Sequence, residues 1–239
     1  MSSCRSSAEL KASAKEHMFG HYGTAIGACL LVTAGMLLIM LISLFFAEDT
    51  STIIGICISV AISFAISLIN GLFSSGMACF YLKIVCEQHV TVSDAFYGFK
   101  FCPDKALLVQ AWVTLITFIF DLPRLIISLR LPDSPARNEL LLYAACIILS
   151  LVIPVIINLF YGQVFFLLHD FPQYSARELL ATSRRLTAGH RGSLLYIYIS
   201  FLPYLIPCVL SCGIAALWVI PYMNTTLAEF YLDLVREKR

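Results

Sequence analysis

The feature that most constrains this chain is the separation of its charged residues from long apolar stretches. Asp, Glu, Lys and Arg are absent from five segments, 20–47, 50–82, 106–120, 140–169 and 192–228. These residue types make up 13% of the chain, whereas a soluble domain has about 25%. A helix of roughly 20 apolar residues crosses a bilayer, and it satisfies its own backbone hydrogen bonds there. The pattern therefore predicts an all-α, polytopic membrane protein.

The number of crossings depends on how the last apolar segment folds. Each of the first four segments suits one span, the third by running on to residue 122. The fifth, 192–228, is 37 residues long, which is enough for two helices. Gly213 is the natural turn between them, because glycine accepts the backbone angles of a tight reversal. The sequence therefore predicts six transmembrane helices in a single domain spanning residues 1–239.

The distribution of basic residues predicts the orientation. Six crossings place both termini and the connections 83–105 and 169–192 on one side. That side holds thirteen of the sixteen Lys and Arg residues. Basic residues collect on the cytoplasmic side of membrane proteins, so both termini are expected in the cytoplasm, with the protein in the cell membrane. On the other side, Pro and Asp in 121–135 predict a connector with turns.

An internal repeat predicts how the helices are organised. The stretch 9–23 reappears, slightly changed, at 178–192, and each copy leads directly into an apolar segment. A weaker third copy begins at residue 91. We interpret the chain as three tandem units, 6–87, 91–169 and 175–237, each an interfacial helix followed by a helical hairpin. Chance similarity among membrane segments stays open as the alternative, above all for the middle unit.

The first helix of each unit, here called a collar helix, has recognisable start and stop signals. The pairs Ser6/Glu9 and Ser175/Glu178 have the spacing of capping boxes, and Thr91/Asp94 is a weaker version. Gly20 and Gly189 are placed to end the first and third collar helices. Apolar residues recur at helical spacing between them, so these helices are expected to lie along the membrane surface, apolar face toward lipid.

Basic residues on the first and third collars are candidate contact residues: Lys11, Lys15, Arg184, Arg185, His190 and Arg191. Near a charged leaflet each basic residue contributes about 1 kcal/mol of attraction to anionic headgroups. A protein partner is a second possible contact. The alternative is that these residues only fix the orientation of the helices in the membrane.

Among the amide side chains within or beside the predicted spans, four are candidate intramembrane contacts: Asn70, Gln110, Asn158 and Gln163. Polar groups inside a membrane are costly and often mark a substrate path. They also form hydrogen bonds between helices, worth about 0.6 kcal/mol on average. Both interpretations remain open from the sequence.

The last apolar segment carries several residues with a structural interpretation. Pro203, Pro207 and Pro221 lack an amide donor and are expected to kink their helices. Trp218 and Tyr222 share one helix face and are expected to pack there or to anchor the helix at the membrane interface.

No sequence pattern indicates a reaction. Most of the nine cysteines lie in apolar segments, where cysteine behaves as a small hydrophobe. The sequence shows no metal-ligand spacing, no catalytic or phosphate-binding motif and no pattern typical of nucleic-acid binding. We therefore expect no metal, no cofactor, no catalytic residue and no nucleic-acid partner.

The leading hypothesis is a non-enzymatic protein whose collar helices engage anionic lipid or a protein partner. The alternative is a small-solute transporter or channel, and an intramembrane enzyme comes third.

Several motifs resemble a known family. They are Ala176-Arg177-Glu178, Ser183-Arg184-Arg185-Leu186 and Gly189-His190, and then the segments 217–222, 225–226 and 228–231. Together with 9–15, 23–26 and 94–99, they resemble the domain-of-unknown-function 975 family, integral membrane proteins of bacteria, largely Firmicutes. The resemblance covers nearly the whole chain. It implies a polytopic membrane protein and supplies no established reaction.

Overall fold

A computed structural model describes residues 5–46, 53–130 and 137–238, which are helical with no β-strand among them. Two short 3₁₀ helices, Val92–Phe96 and Leu202–Tyr204, accompany the α-helices. The α-helices are α1 (Ser7–Met18), α2 (Tyr22–Phe46), α3 (Ile53–Val85), α4 (Tyr97–Lys100), α5 (Pro103–Arg130), α6 (Arg137–Tyr161), α7 (Val164–Asp170), α8 (Ala176–Leu186), α9 (Arg191–Phe201), α10 (Leu205–Leu210) and α11 (Ala216–Glu237).

Five stretches of the described helices are long and apolar enough to cross a membrane: Tyr22–Leu44, Ile54–Val85, Pro103–Ile127, Arg137–Asp170 and Arg191–Leu210. The predicted all-α, multi-pass architecture is thus confirmed. The sixth predicted span corresponds to α11, which is less apolar than these five stretches and is not among them. Its last turns carry four charged residues, Glu229, Asp233, Arg236 and Glu237.

The turn predicted within the last apolar segment is present. Cys212 and Gly213 have φ angles of 51° and 91°, both in the left-handed region. They separate α10 from α11. The segment therefore folds as two helical arms, as the sequence predicted.

The collar helices begin and end where the sequence predicted. The Glu9 amide donates to Ser6 Oγ at 3.3 Å, and the Ser6 amide donates to Glu9 Oε2 at 2.8 Å. Ser175 and Glu178 make the same pair of bonds at the start of α8. Gly20 and Gly189, with φ angles of 85° and 92°, follow the two helices.

The middle collar is a shorter variant of the same pattern. The Thr91 amide donates to Asp94 Oδ2 at 2.8 Å at its start. The 3₁₀ helix Val92–Phe96 and α4 follow. Cys102, with a φ of 48°, then occupies the position before the next long helix. A positive φ is strained for a residue with a side chain.

The apolar faces of α1 and α8 pack against protein. Leu10, Ala14 and Met18 of α1 are buried against the bundle, as are Leu179 and Leu186 of α8. Helix α1 lies on α11 and α3, and α8 lies on α5, α6 and α7. The sequence pattern had predicted that these faces enter lipid. An amphipathic pattern alone does not distinguish the two environments, because lipid and a protein core are both apolar.

Burial is concentrated in one half of the molecule. The C-terminal half of α3 and of α11 contribute Phe80, Tyr81, Phe230 and Tyr231, all fully buried. Elsewhere large apolar side chains are exposed, for example Leu38 on α2 and Leu151 on α6. An exposed apolar surface of this extent suits contact with lipid acyl chains.

The predicted connector at 121–135 begins later than expected. Helix α5 continues through Pro123 to Arg130, so residues 121–124 are helical. Residues 131–136 lie outside the described part of the chain. Pro203 coincides with a real interruption, since α9 ends at Phe201 and a 3₁₀ helix follows it. Pro207 lies within α10, and Pro221 lies within a continuous α11.

Candidate functional site

A cavity of about 550 Å³ lies inside the helix bundle. Helices α2, α3, α5, α6, α7, α9 and α11 all contribute to its wall. Its volume falls within the usual range for small-molecule sites, roughly 300–1,000 Å³. The described residues that line it include many aromatic and aliphatic side chains, and none of them is Asp, Glu, Lys, Arg or His.

Two of the predicted amides, Asn70 of α3 and Asn158 of α6, line this cavity. Both side chains are exposed. Neither has a hydrogen-bond partner among the residues that the structure describes. An amide in an apolar bundle needs hydrogen bonds to offset the loss of water. These two groups are therefore free to bind a molecule that enters the cavity.

The other two predicted amides have different surroundings. Gln110 Nε2 donates to Ser67 Oγ at 3.2 Å and to Thr114 Oγ1 at 3.3 Å, which joins α5 to α3. Its aliphatic carbons pack over Gly71, where an added Cβ would lie 2.5 Å from Gln110 Cβ. Gln163 is 1% exposed. Its Oε1 has no partner in the described structure.

Further polar residues of the cavity wall were not singled out from the sequence. Asn224 of α11 and Tyr198 of α9 line the cavity. The Tyr81 hydroxyl lies 3.3 Å from Cys29 Sγ on the opposite helix. Asn224 lies in an uncharged apolar segment, as the four predicted amides do. A polar residue in an apolar segment therefore indicated it equally well.

The six predicted basic contact residues separate into two groups. Lys11 is turned into the protein, where its Nζ donates to the Ser200 carbonyl at 2.9 Å and lies 4.2 Å from the centre of the Phe201 ring. Burial lowers the pKa of Lys11. The Arg191 guanidinium lies 3.8 Å from the centre of the Phe160 ring. These two cations therefore contact other parts of the protein rather than the surface.

The remaining four lie nearer the surface. His190 Nε2 is 3.3 Å from Glu237 Oε2 and is partly buried. Lys15, Arg184 and Arg185 have exposed side chains. Phe19, close to Lys15 at the end of α1, is 86% exposed. Exposed cations beside an exposed aromatic ring suit a membrane interface.

A buried carboxylate attaches α1 to α11. Glu229 of α11 is 3% exposed. Its carboxylate accepts from Arg5 at 2.7 Å and from Ser13 at 2.9 Å, and lies 2.8 Å from His17 Nδ1. Arg5 Nε also donates to Asp233 at 2.8 Å. No local sequence signal predicts this network, because its two sides are more than 200 residues apart.

Two aromatic residues of α11 behave differently. Trp218 is half exposed near the start of the helix. The Tyr222 hydroxyl donates to the Lys11 carbonyl at 3.3 Å, and its ring packs edge-on against Phe201. The face shared by Trp218 and Tyr222 is thus partly a packing surface for α1 and α9.

Comparison with known proteins places the chain in a family. A search of curated proteins and a search of solved structures both find no match. A family model described as "Protein of unknown function (DUF975)" matches residues 1–238, essentially the whole chain. The chain therefore belongs to the DUF975 family, in agreement with the resemblance of its motifs.

Proposed function

We propose that this protein binds a small uncharged solute in the cavity of its membrane helix bundle and does not transform it. The observation that carries the proposal is the pair of unpartnered amides, Asn70 and Asn158, in an otherwise largely apolar wall without charged side chains. Each amide offers donors and an acceptor. A neutral molecule with one hydrogen-bonding end and one apolar end matches both parts of the wall.

The test is the identity of the molecules that the purified protein retains. The protein is purified into lipid nanodiscs, and small molecules released on denaturation are identified by mass spectrometry. We expect an uncharged compound to be retained by the wild type and to be retained less by Asn70→Ala and Asn158→Ala. Each lost hydrogen bond, worth about 0.5–1.5 kcal/mol, reduces retention about two- to tenfold.

Asn138→Ala is the matched control, because Asn138 lies on α6 with Asn158 but outside the cavity. It is expected to retain the compound as the wild type does. Equal retention by all variants, or retention only of charged compounds, would contradict the proposal.

A second function is supported by the exposure of Lys15, Arg184 and Arg185. We propose that these three side chains contact anionic lipid headgroups on the cytoplasmic side. Replacing Arg184 and Arg185 by Ala is expected to lower the amount of phosphatidylglycerol that co-purifies. Arg177→Ala, on the first turn of the same helix, is the control. If the double variant retains as much of this lipid as the control, the basic cluster serves orientation alone.

We also propose that the protein lies in the cell membrane of a bacterium with six crossings in three tandem units. Three features support the repeat: the two capping boxes, the related bonds at Thr91 and Asp94, and the positive-φ residue that follows each collar. The contact between Arg5 and Asp233 supports an even number of crossings, because it brings the two ends of the chain together.

A further inference from the structure

Helix α5 carries a continuous polar stripe through an otherwise apolar span. Gln110, Thr114, Thr117, Asp121 and Arg124 follow one another at intervals of four and three residues. Residues at this spacing lie on one face of a helix. At 1.5 Å per residue the stripe extends about 21 Å, which is most of a hydrocarbon core of about 30 Å.

The stripe lines a second cavity as well as the first. This outer cavity has a volume of about 970 Å³ and lies between α3, α5 and α6. Thr114, Thr117, Asp121 and Arg124 line it, whereas Gln110 and Thr117 line the central cavity. Thr117 and Pro154 belong to the walls of both cavities, so the two meet at these residues.

The outer cavity contains a charged pair inside a candidate span. Arg124 donates to Asp121 from Nε at 2.8 Å and from Nη2 at 2.6 Å, and Ser150 Oγ of α6 donates to Asp121 at 2.5 Å. Charged side chains within a membrane span pair with one another and face a water-filled cavity or the membrane interface. This pair lies in the last seven residues of the span Pro103–Ile127, which places the outer mouth of the cavity close to water.

The junction between the cavities contains a helix-bending residue. Pro154 lies inside α6 and has no amide to donate to the Ser150 carbonyl. A helix bends at such a position. Across the junction, the Thr117 hydroxyl is bonded to the carbonyls of Val113 and Thr114 on its own helix. Its hydroxyl therefore makes no bond that ties α5 to α6.

We propose that the polar stripe of α5 lines a route by which an uncharged solute passes between the outer face and the central cavity, with Thr117 and Pro154 at the narrowest point. The inference rests on the proposed function, since it supplies the path to the solute site. It adds that the protein exchanges its ligand with the outer side of the membrane. Asp121 and Arg124 then keep the outer cavity hydrated. Because the two side chains pair with each other, neither presents an unpaired charge to a neutral solute.

Native cysteines allow the route to be tested without knowing the solute. Cys57 lines the outer cavity and Cys29 lines the central one. Cys212 lies in the exposed α10–α11 turn, and Cys146 is a half-buried residue of α6 that lines neither cavity. The probe is a glucose-linked methanethiosulfonate, an uncharged thiol reagent that does not cross membranes. It is applied to intact cells, and the labelled sites are identified by mass spectrometry.

We expect Cys212 and Cys57 to be labelled rapidly, Cys29 more slowly and Cys146 not at all. Ser63→Trp fills the outer cavity from α3 without touching the central one. It is expected to slow labelling of Cys29 at least tenfold, whereas Cys212 and Cys57, which lies six residues nearer the start of α3, are unaffected. A Cys57 that stays unlabelled while Cys212 reacts would show a lipid-filled groove and overturn the route.

Failure of the route is distinguishable from failure of the solute site. The solute site is judged by retention in the Asn70 and Asn158 variants, and Ser63→Trp is expected to retain the compound as the wild type does. Normal retention in Ser63→Trp with labelling of Cys29 that is as fast as in the wild type would refute the route alone. Slower labelling of Cys29 in Ser63→Trp with normal retention supports both proposals.

Discussion

Gly76 marks the closest approach between α3 and the middle collar. A Cβ built on Gly76 would overlap the Ala95 carbonyl oxygen and lie 2.7 Å from its carbon. Gly98 of α4 faces the same contact from the other side, where an added Cβ would lie 2.7 Å from the Gly76 amide nitrogen. Backbone atoms cannot move aside as a flexible side chain can. The absence of a side chain at both positions is therefore what lets the two elements pack.

Gly76→Ala is expected to destabilise the protein. Overpacking of a tight contact costs typically about 1–3 kcal/mol, and here backbone has to shift. The measurement is thermal unfolding in detergent, followed by tryptophan fluorescence. Gly23→Ala is the control, because Gly23 lies in α2 with nothing near its added Cβ. Alanine favours a helix over glycine by about 1 kcal/mol, so the control is expected to be neutral or stabilising. Equal effects of the two substitutions would contradict the packing argument.

The capping box of α8 gives a pH-dependent prediction. Hydrogen bonds from the Ser175 amide and hydroxyl lower the pKa of Glu178. A carboxylate whose pKa is lower in the folded than in the unfolded state stabilises the fold above its unfolded pKa, and this contribution disappears as pH falls through the lowered folded pKa. Wild type is therefore expected to unfold at a higher temperature than Glu178→Ala at neutral pH, with the difference vanishing in acid.

Arg177→Ala serves as the control for this pH series, because Arg177 keeps its charge throughout the acid range. Its difference from wild type is expected not to disappear at low pH. If the difference between wild type and Glu178→Ala is the same at neutral and acid pH, the carboxylate does not act through its charge.

At the scale of whole elements, local signals were readable from the sequence and distant ones were not. The capping boxes and the Cys212–Gly213 turn involve residues at most three positions apart, so residue types alone predict them. The α5 stripe was hidden for another reason. Asp121 and Arg124 were assigned to the connector 121–135, although their spacing continues the face of Gln110, Thr114 and Thr117.

The position of α1 depended on its partner. The basic and apolar residues of α1 predict an amphipathic helix, but they do not say which surface it covers. Glu229, more than 200 residues away, supplies the acceptor for Arg5, Ser13 and His17. The position of Glu229 at the end of a predicted span does not indicate that it binds the N-terminal segment. Helix α1 therefore packs against the protein core, and Lys11 donates to the Ser200 carbonyl.

Glu229→Gln is expected to loosen α1 from α11. Hydrogen bonds to charged groups are worth about 1.5–3 kcal/mol, and the amide cannot accept from both Arg5 and Ser13 as a carboxylate does. Amide hydrogen exchange over α1 is expected to accelerate about tenfold or more, since 1.4 kcal/mol corresponds to a factor of ten. Glu16→Gln, an exposed change on α1 itself, is the control. Unchanged exchange in Glu229→Gln would show that apolar packing alone holds the helix.

At the scale of the whole molecule, the ends of the chain constrain the number of crossings. The Arg5 amide donates to Asp233 Oδ2 at 2.8 Å, so residues 5 and 233 lie at the same end of the bundle. Five crossings would put them on opposite faces of the membrane. Helix α11 has 22 residues, which extend about 33 Å at 1.5 Å per residue. That length is sufficient for a hydrocarbon core of about 30 Å.

The positions of the charged residues in α11 also suit a helix that crosses the membrane. All four lie in its last nine residues, and the preceding part of the helix is uncharged. We therefore expect α11 to be the sixth span, with its charged end in the cytoplasm beside α1. Alkaline phosphatase, which is active only outside the cytoplasm, is expected to be inactive when fused after Arg239. Green fluorescent protein at the same position is expected to fluoresce.

The matched control is a phosphatase fusion to a chain truncated after Gly213, which lacks α11 and ends at the outer turn. This fusion is expected to be active, because only the crossing of α11 separates the two fusion points. Activity at both positions would leave α11 on the outer face. The Arg5–Asp233 contact would then require the N-terminus to lie outside as well, against the distribution of basic residues. Six crossings predict an active phosphatase in the fusion after Gly213 and an inactive one in the fusion after Arg239.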